Sequence, residues 1–455
     1  MRARGLALVG LLTLLLALSS CVWFQQPPIP TITFAPLAGA VNTLIEIMGV
    51  GFGATQGTNV VTFDGIQAQI VTWTDTAITA RVPLLSTPNG DRLATVNVVR
   101  GGSTVGTGTF TVQRGILFET NRDGNSEVYL MNPDGSQPMN LTNHPETDNY
   151  AAWSPDGTRI AFVSRRNGNN EIFVMNADGS SPTNLTSHSG SDYNPVWSPD
   201  GAHIAFTSNR ESAGPVLGVD PKLIINGHNI EIFVMNADGS GQTNVSNHPA
   251  WDGYPSWSPD GNQLVFQTDR DASNGVLLGI VPLDLGQEIY VVDVSGTSPT
   301  RLTNSPENDV YPSWSPDGSK IVFQSYRDGN PEIYVMNPDG TGQTRLTTHP
   351  DSDMSPSWSP DGSWITFHSS RDGNMEIYKM TAGGFSQARL TNDSEWDWGP
   401  SWSCDGLEIV FQSFRDGNSE IYIMSSTGAF QQRLTYDPEW DVHPVWGTPA
   451  WMPSF

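Results

Sequence analysis

Cysteine is nearly missing from this chain of 455 residues: there are two, Cys21 and Cys404. A disulfide framework is therefore excluded, and the fold must be held by burial. Basic residues are scarce as well. Lys and Arg number 22 against 47 Asp and Glu, for a formal net charge of −25. A surface of that sign disfavours nucleic acid and anionic headgroups as partners and leaves room for cations, or serves solubility alone. No apolar run spans a bilayer comfortably; the one at residues 6–18 is too short. No G-x-S-x-G pattern occurs, so the nucleophile elbow of a serine hydrolase is lacking. Charged residues make up only 15% of the chain, whereas Gly (45) and Pro (33) are plentiful. Many turns and few long helices follow, which points to an all-β protein.

The first residues read as a targeting segment. Arg2 and Arg4 precede the apolar run, and "LSSC" ends at Cys21. The small residues before Cys21 resemble a bacterial lipobox. That resemblance implies a signal peptide at 1–20, cleavage before Cys21 and lipidation of its sulfur, which leaves Cys404 unpaired. Val22 stands where Asp would favour retention. By resemblance to enterobacterial sorting, an outer membrane is implied if the cell has one, and otherwise the outer face of the cytoplasmic membrane. Residues 21–28 form a short lipidated tether rich in proline.

Residues 29–113 alternate strand-like runs ("NTLIEIMG", "NVVTFDG", "AITARVP", "ATVNVVR") with Gly, Pro and Asn. About seven short strands in this space predict a sandwich. "GVGFG", "VTFDG" and "VTWTDTAITARVP" resemble the IPT/TIG immunoglobulin-like family, whose members act as spacers or docking modules. Trp73 is expected in the core, not as a ligand platform.

Residues 114–455 are built on a repeat. "WSPDG" begins at Trp153, Trp197, Trp257, Trp314 and Trp358, "WSCDG" at Trp402, and a last Trp stands at 446. The usual spacing, 44 residues, suits one four-stranded propeller blade. The first set, from Ile116, lacks its inner strand, and the chain offers a lone inner strand, "HPVWG", near its end. The expected fold is thus an immunoglobulin-like β-sandwich followed by a seven-bladed β-propeller, closed by pairing that C-terminal strand with the first blade. The "D-x-x-P-x-W-S-P-D-G-x-x-I-x-F" pattern resembles the TolB-like propeller family. The family's namesake has an α/β domain, six blades and a soluble periplasmic form. This chain departs from all three, so that protein's peptidoglycan-associated lipoprotein partner is not carried over.

The repeat carries charge at fixed places. An Asp lies five residues before each Trp: Asp148, Asp192, Asp252, Asp309, Asp353, Asp397 and Asp441. An Arg follows the second strand and a Glu opens the third. Their spacing predicts pairs clasping the hairpin: Arg122–Glu127, Arg166–Glu171, Arg210–Glu231, Arg270–Glu288, Arg327–Glu332, Arg371–Glu376 and Arg415–Glu420. The pairs survive long insertions in two blades, which favours a structural role, since a catalytic group would appear once. The Asp ring is expected to stabilise turns, accepting backbone N–H groups or an Arg; a Ca²⁺ site is the sharper alternative. No other cofactor is expected. His144, His188, His248 and His349 recur with the repeat and read as loop-packing residues, and His443 lies in the closing strand.

Two insertions break the pattern, at 211–229 and 271–287. Val216, Leu217 and Val219 in one, and Leu277, Leu278 and Ile280 in the other, either pack on each other or form a partner-binding patch. With no segment the size of an α/β-hydrolase domain read after the propeller, a dipeptidyl-peptidase arrangement is not expected. The expected function is a non-enzymatic, monomeric envelope lipoprotein, held at the membrane by its lipid only and binding an envelope protein or cell-wall glycan. A propeller-based envelope enzyme such as a polysaccharide lyase is the alternative.

Overall fold

The computed structural model describes residues 29–85, 91–210, 230–271, 286–296 and 299–446. Every regular element among them is a strand. Among the described residues no helix is long and apolar enough to cross a membrane.

The N-terminal part is a two-sheet sandwich. One sheet orders Thr33–Ala35, Leu44–Met48, Ala77–Arg81 and Gln69–Trp73; the other orders Ala38–Ala40, Ser103–Gln113, Arg92–Arg100, Val60–Phe63 and Ile66–Gln67. Burial alternates along Leu44–Met48 and Ala77–Arg81, so Ile45, Ile47, Ile78 and Ala80 turn inward while their neighbours face water. Phe110 forms the hub, with the rings of Phe34 and Phe63 edge-on at 5.6 and 5.8 Å. Trp73 packs against this core and donates its indole N–H to the Gly53 carbonyl at 3.0 Å. Gly49 lets the Phe52 ring sit on the backbone: a Cβ there would lie 2.4 Å from the ring.

Among the described residues seven four-stranded sheets follow. Each inner strand starts at the predicted Asp, from Asp148–Trp153 to Asp397–Trp402, with Asp441–Val445 as the last. Second strands such as Arg159–Ser164 and third strands such as Glu171–Asn176 are buried on both faces, which explains their nearly continuous apolar sequence. Phe162, Phe206, Phe266, Phe323, Phe367 and Phe411 are wholly buried between sheets. Burial of each contributes about 1.5–3 kcal/mol. Outer strands are only two residues long, as in Thr183–Asn184, which keeps the exposed edge short. The recurring "SPDG" turn places Gly201 at φ +69°, where a side chain would be strained.

Asp441–Val445 pairs antiparallel with Ile116–Thr120, Leu117 opposite Val445 and Thr120 opposite Asp441. Trp446 is buried with Ile116, Phe118, Val410 and Ile421, and its indole N–H donates to the Arg114 carbonyl at 2.8 Å. The two ends of the propeller segment are thereby joined in one sheet. Equivalent indoles stitch other sheets to their predecessors, Trp197 to the Ala152 carbonyl and Trp257 to that of Val196.

The sandwich is seated on the first of these sheets. Asn132 accepts from the Ala40 N–H (3.0 Å) and the Thr43 hydroxyl (2.7 Å), Gln137 accepts from the Leu44 N–H (2.9 Å), and Val41 joins the cluster of Leu117 and Leu130. Asn132 and Gln137 follow the third strand, at the end where the inner strands finish in Trp. The opposite mouth, where the inner strands begin in Asp, faces away from this joint.

Candidate functional site

The repeated charges belong to two separate networks, and the predicted Arg–Glu clasps are not formed. Across each sheet, the Asp, a Ser or Thr and the Glu stand in one row, as in Asp148–Ser164–Glu171. The Arg two residues past the central hydroxyl turns inward, to the Asp. The pairs are Arg166–Asp148 (2.8 Å), Arg210–Asp192 (2.9 Å), Arg270–Asp252 (2.9 Å) and Arg327–Asp309 (2.7 Å). Arg371–Asp353, Arg415–Asp397 and Arg122–Asp441, all at 2.7 Å, complete the set. Each Arg Nε also donates to the hydroxyl behind it, and the guanidinium lies over two rings, Phe162 and Phe173 in the case of Arg166. The spacing of five residues identified the hairpin but not the third partner, a buried carboxylate on the strand packed to the inside.

The Glu carboxylates turn outward instead. Each accepts from a Thr or Ser on the outer edge: Glu171 from Thr186 (2.6 Å), Glu231 from Ser246 (2.7 Å), Glu332 from Thr347 (2.5 Å), and Glu127 from Thr142. In four consecutive sheets an outer-strand Arg completes the site: Arg301–Glu288 and Arg345–Glu332 at 2.5 Å, Arg389–Glu376 at 2.6 Å and Arg433–Glu420 at 2.7 Å. Burial pushes the Glu231 carboxyl up to about 7 and that of Asp397 up to about 6, the neighbouring hydrogen-bond donors acting in the opposite sense. The Asp ring is thus occupied by guanidinium groups. Among the described residues no cluster of three or more His, Cys, Asp or Glu could hold a metal ion.

His144, His188, His248 and His349 close their own loops, each Nδ1 accepting the N–H two residues on at 3.0–3.2 Å. Cys21, with residues 1–28, lies outside the described residues, as do Val216, Leu217, Val219, Leu277, Leu278 and Ile280.

What breaks the repeat is the Asp-end mouth of the central channel. Every inner strand bulges three residues before its Trp, and Tyr150, Asn194, Tyr254, Tyr311, Ser355 and His443 take up left-handed φ of +52 to +59° there. Such a conformation costs about 1–3 kcal/mol and persists only where neighbours hold it. In five of the inner strands the hold is a side chain of the preceding sheet. Glu119 accepts the Tyr150 N–H (2.7 Å), Gln267 that of Tyr311 (2.7 Å), Gln324 that of Ser355 (3.0 Å), His368 that of Gly399 (2.9 Å) and Gln412 that of His443 (3.0 Å). Burial pushes the His368 imidazole down to about 4, which keeps it a neutral acceptor.

Glu119 is the acidic member of this row. Its second oxygen lies 3.2 Å from Nδ1 of His443, at ion-pair distance though not aligned as a hydrogen bond, and the Tyr150 ring stacks on the imidazole at 6.2 Å. Burial opposes the charge on His443, but the carboxylate beside it wins and raises its pKa. The three residues line a channel cavity of about 100 Å³ whose remaining wall includes Pro195, Pro255, Pro312 and Val445. Around it, aromatic rings gather on the rim: Trp251, Tyr254 and Tyr311 in successive contacts of 5.5 and 5.2 Å, and Trp396, Trp398 and Phe414 in contacts of 6.5 and 6.1 Å. A search by motif missed Glu119, Tyr150 and the rim tryptophans because they are irregular members of regular slots. The readable signal was the variation itself.

Sandwich and propeller together define a β-propeller protein with an immunoglobulin-like domain before the propeller. The chain belongs to the TolB beta propeller domain family, whose model matches residues 112–217, 280–357 and 347–450. An IPT/TIG domain matches residues 28–112. A Protein TolB homolog of Chlorobium luteolum is 34% identical over 22% of this chain and 30% of its own length. The chain spans less than a third of the length of the first curated relatives it matches. An oligogalacturonate lyase in complex with manganese superposes with a TM-score of 0.54 at 18% identity, covering 85% of this chain and 98% of that one. A Mycobacterium tuberculosis puromycin-hydrolyzing peptidase gives 0.51 at 12% identity, covering 89% and 56%. At these identities the likeness is one of fold.

Proposed function

We infer that this chain is a non-enzymatic scaffold of the bacterial cell envelope, anchored through Cys21, which recognises a protein or glycan with the Asp-end mouth of its propeller. The observation that carries this reading is the division of labour between residues. The repeated Arg, Asp and Glu side chains are used in internal pairs, while the irregular residues Glu119, Tyr150, His443 and the rim tryptophans collect at one mouth. That mouth lies at the end away from the seat of the sandwich, so a spacer on one side leaves it open to a partner on the other. Crosslinking from single positions on the rim, in intact cells, tests the proposal. One envelope component crosslinked from the Asp-end rim, and not from the opposite face, is the expected result; uniform background from both faces overturns it.

An envelope lyase is a second reading, favoured by the Glu119–His443 pair, an acid–base contact that opens on the channel. Ultraviolet-absorbing unsaturated products from a polyuronate, lost in Glu119→Gln, would replace the scaffold reading.

A further inference from the structure

The last two inner strands are each introduced by the same three residues. Glu395-Trp396-Asp397 and Glu439-Trp440-Asp441 stand 44 residues apart, at one position in adjacent sheets. In both, Asp buries its side chain on the Arg of the ring, so the neighbouring backbone is fixed. The two loops are built alike. The Glu N–H is capped by Asp393 or Asp437, each at 3.1 Å. The Glu carbonyl accepts from Asn374 (2.7 Å) or Asn418 (2.9 Å). On this rigid base the indoles remain in water: Trp396 is 55% exposed and Trp440 62%. Five of the seven sheets carry Thr147, Ser191, Trp251, Asn308 or Ser352 in that slot, all at least half-buried.

Exposing two large rings costs solvation free energy that the fold does not recover. Their surroundings say what would cover them. Trp396 meets Trp398 edge-on at 6.5 Å and follows Glu395 in the chain, while Trp440 has Glu439 and Asn121 beside it, so polar groups flank both exposed rings where a protein interface core would be depleted of charge. A pyranose has the matching form: one face of C–H groups to lie on an indole, and a rim of hydroxyls to meet carboxylates and amides. Two like subsites one sheet apart suit a ligand that itself repeats. The carboxylates, on a chain of net charge −25, select against uronate or phosphate polymers.

We propose that Trp396 and Trp440, with Glu395 and Glu439, are two subsites for a non-acidic glycan chain, neutral or N-acetylated, lying on the propeller rim across the two adjoining sheets whose inner strands are Asp397–Trp402 and Asp441–Val445. This rests on the scaffold reading and names its ligand class. The full mature chain is tested by affinity electrophoresis and calorimetry against chitohexaose, a soluble mixed-linkage glucan, and polygalacturonate. At least one of the first two binds and polygalacturonate does not. The W396A/W440A variant loses affinity at least tenfold, and each single variant loses most of the gain that a hexamer has over a dimer, because linked subsites act together. W396F/W440F, which keeps a ring at both places, retains most of the binding, and the melting curves of all variants overlay the parent. No binding to either non-acidic glycan, unchanged binding in W396A/W440A, or preference for polygalacturonate overturns the proposal. If W396A/W440A still crosslinks the same envelope protein from the rim, the scaffold reading stands without the glycan.

Discussion

Arg122 and Asp441 lie 319 residues apart in sequence and meet at 2.7 Å, the Asp fully buried. The same pair is made locally, over 18 residues, in the six other sheets, as between Arg166 and Asp148. One contact type thus serves inside sheets and also joins the two ends of the propeller segment. A buried carboxylate that loses its cation becomes an uncompensated charge, so removing Arg122 costs about 3–5 kcal/mol. Urea denaturation of Arg122→Met tests this. The R122M/D441L double variant regains part of the loss, since neither charge is then stranded; a double variant as unstable as the single would contradict the pairing.

The pH dependence has an unusual sign. Glu231 and Asp397 have folded-state pKa values raised to about 7 and about 6 by burial, above those of the unfolded chain. Between the unfolded and folded values the native state holds more protons, so these groups make stability fall as pH rises from about 4 to 7. Glu231→Gln removes one such group. Its melting temperature is expected to vary less over pH 5–7.5 than that of the parent, and an identical slope would count against a raised Glu231.

Thr347 satisfies two buried groups at once, donating to Glu332 at 2.5 Å and accepting the Ile333 N–H at 2.9 Å. Thr347→Val keeps the shape and leaves the Ile333 N–H and Oε2 of Glu332 without these partners, while Arg345 still holds Oε1, at a cost of about 1–3 kcal/mol. Thr344→Val, on the exposed outer strand of the same sheet, should lie within about 0.5 kcal/mol of the parent. Equal effects in thermal denaturation would show that the outward network contributes little.

Glu119 holds the strained Tyr150 through its N–H. Amide exchange at Tyr150 is expected to accelerate at least tenfold in Glu119→Ala and much less in Glu119→Gln, whose amide oxygen can still accept. No change in either variant would show that the bulge is held by other means.

Calcium is expected to leave stability unchanged. Its candidate ligands, Asp148, Asp192, Asp252, Asp309, Asp353, Asp397 and Asp441, are each paired with an Arg that would repel the ion. A melting temperature lowered by chelator would reopen the calcium reading.

Much of the fold was legible because a repeat shows its own period. The Trp spacing gave the blades, the Ile-x-Phe alternation gave the second strands, and the unpartnered segment before Trp446 pointed to Ile116 as its mate, as the pairing of Leu117 with Val445 shows. The sandwich was legible from runs bounded by Gly and Pro, though it holds nine strands where about seven were expected. The site was harder to read. Arg166 and Glu171 flank one hairpin, and linear distance made them partners. In the sheet, Asp148 lies on one side of that hairpin and Thr186 on the other, and each takes one of the two charges.

By itself the sequence determined the module, its number of copies and the places where charge recurs, because burial between stacked sheets imposes one pattern on every copy. Only tertiary structure decided which charge meets which, and that Glu119, Tyr150 and His443, distant in the chain, share one mouth. The reason is geometric: a strand's period sets which side chains face inward, but the packing of a third strand sets what they find there.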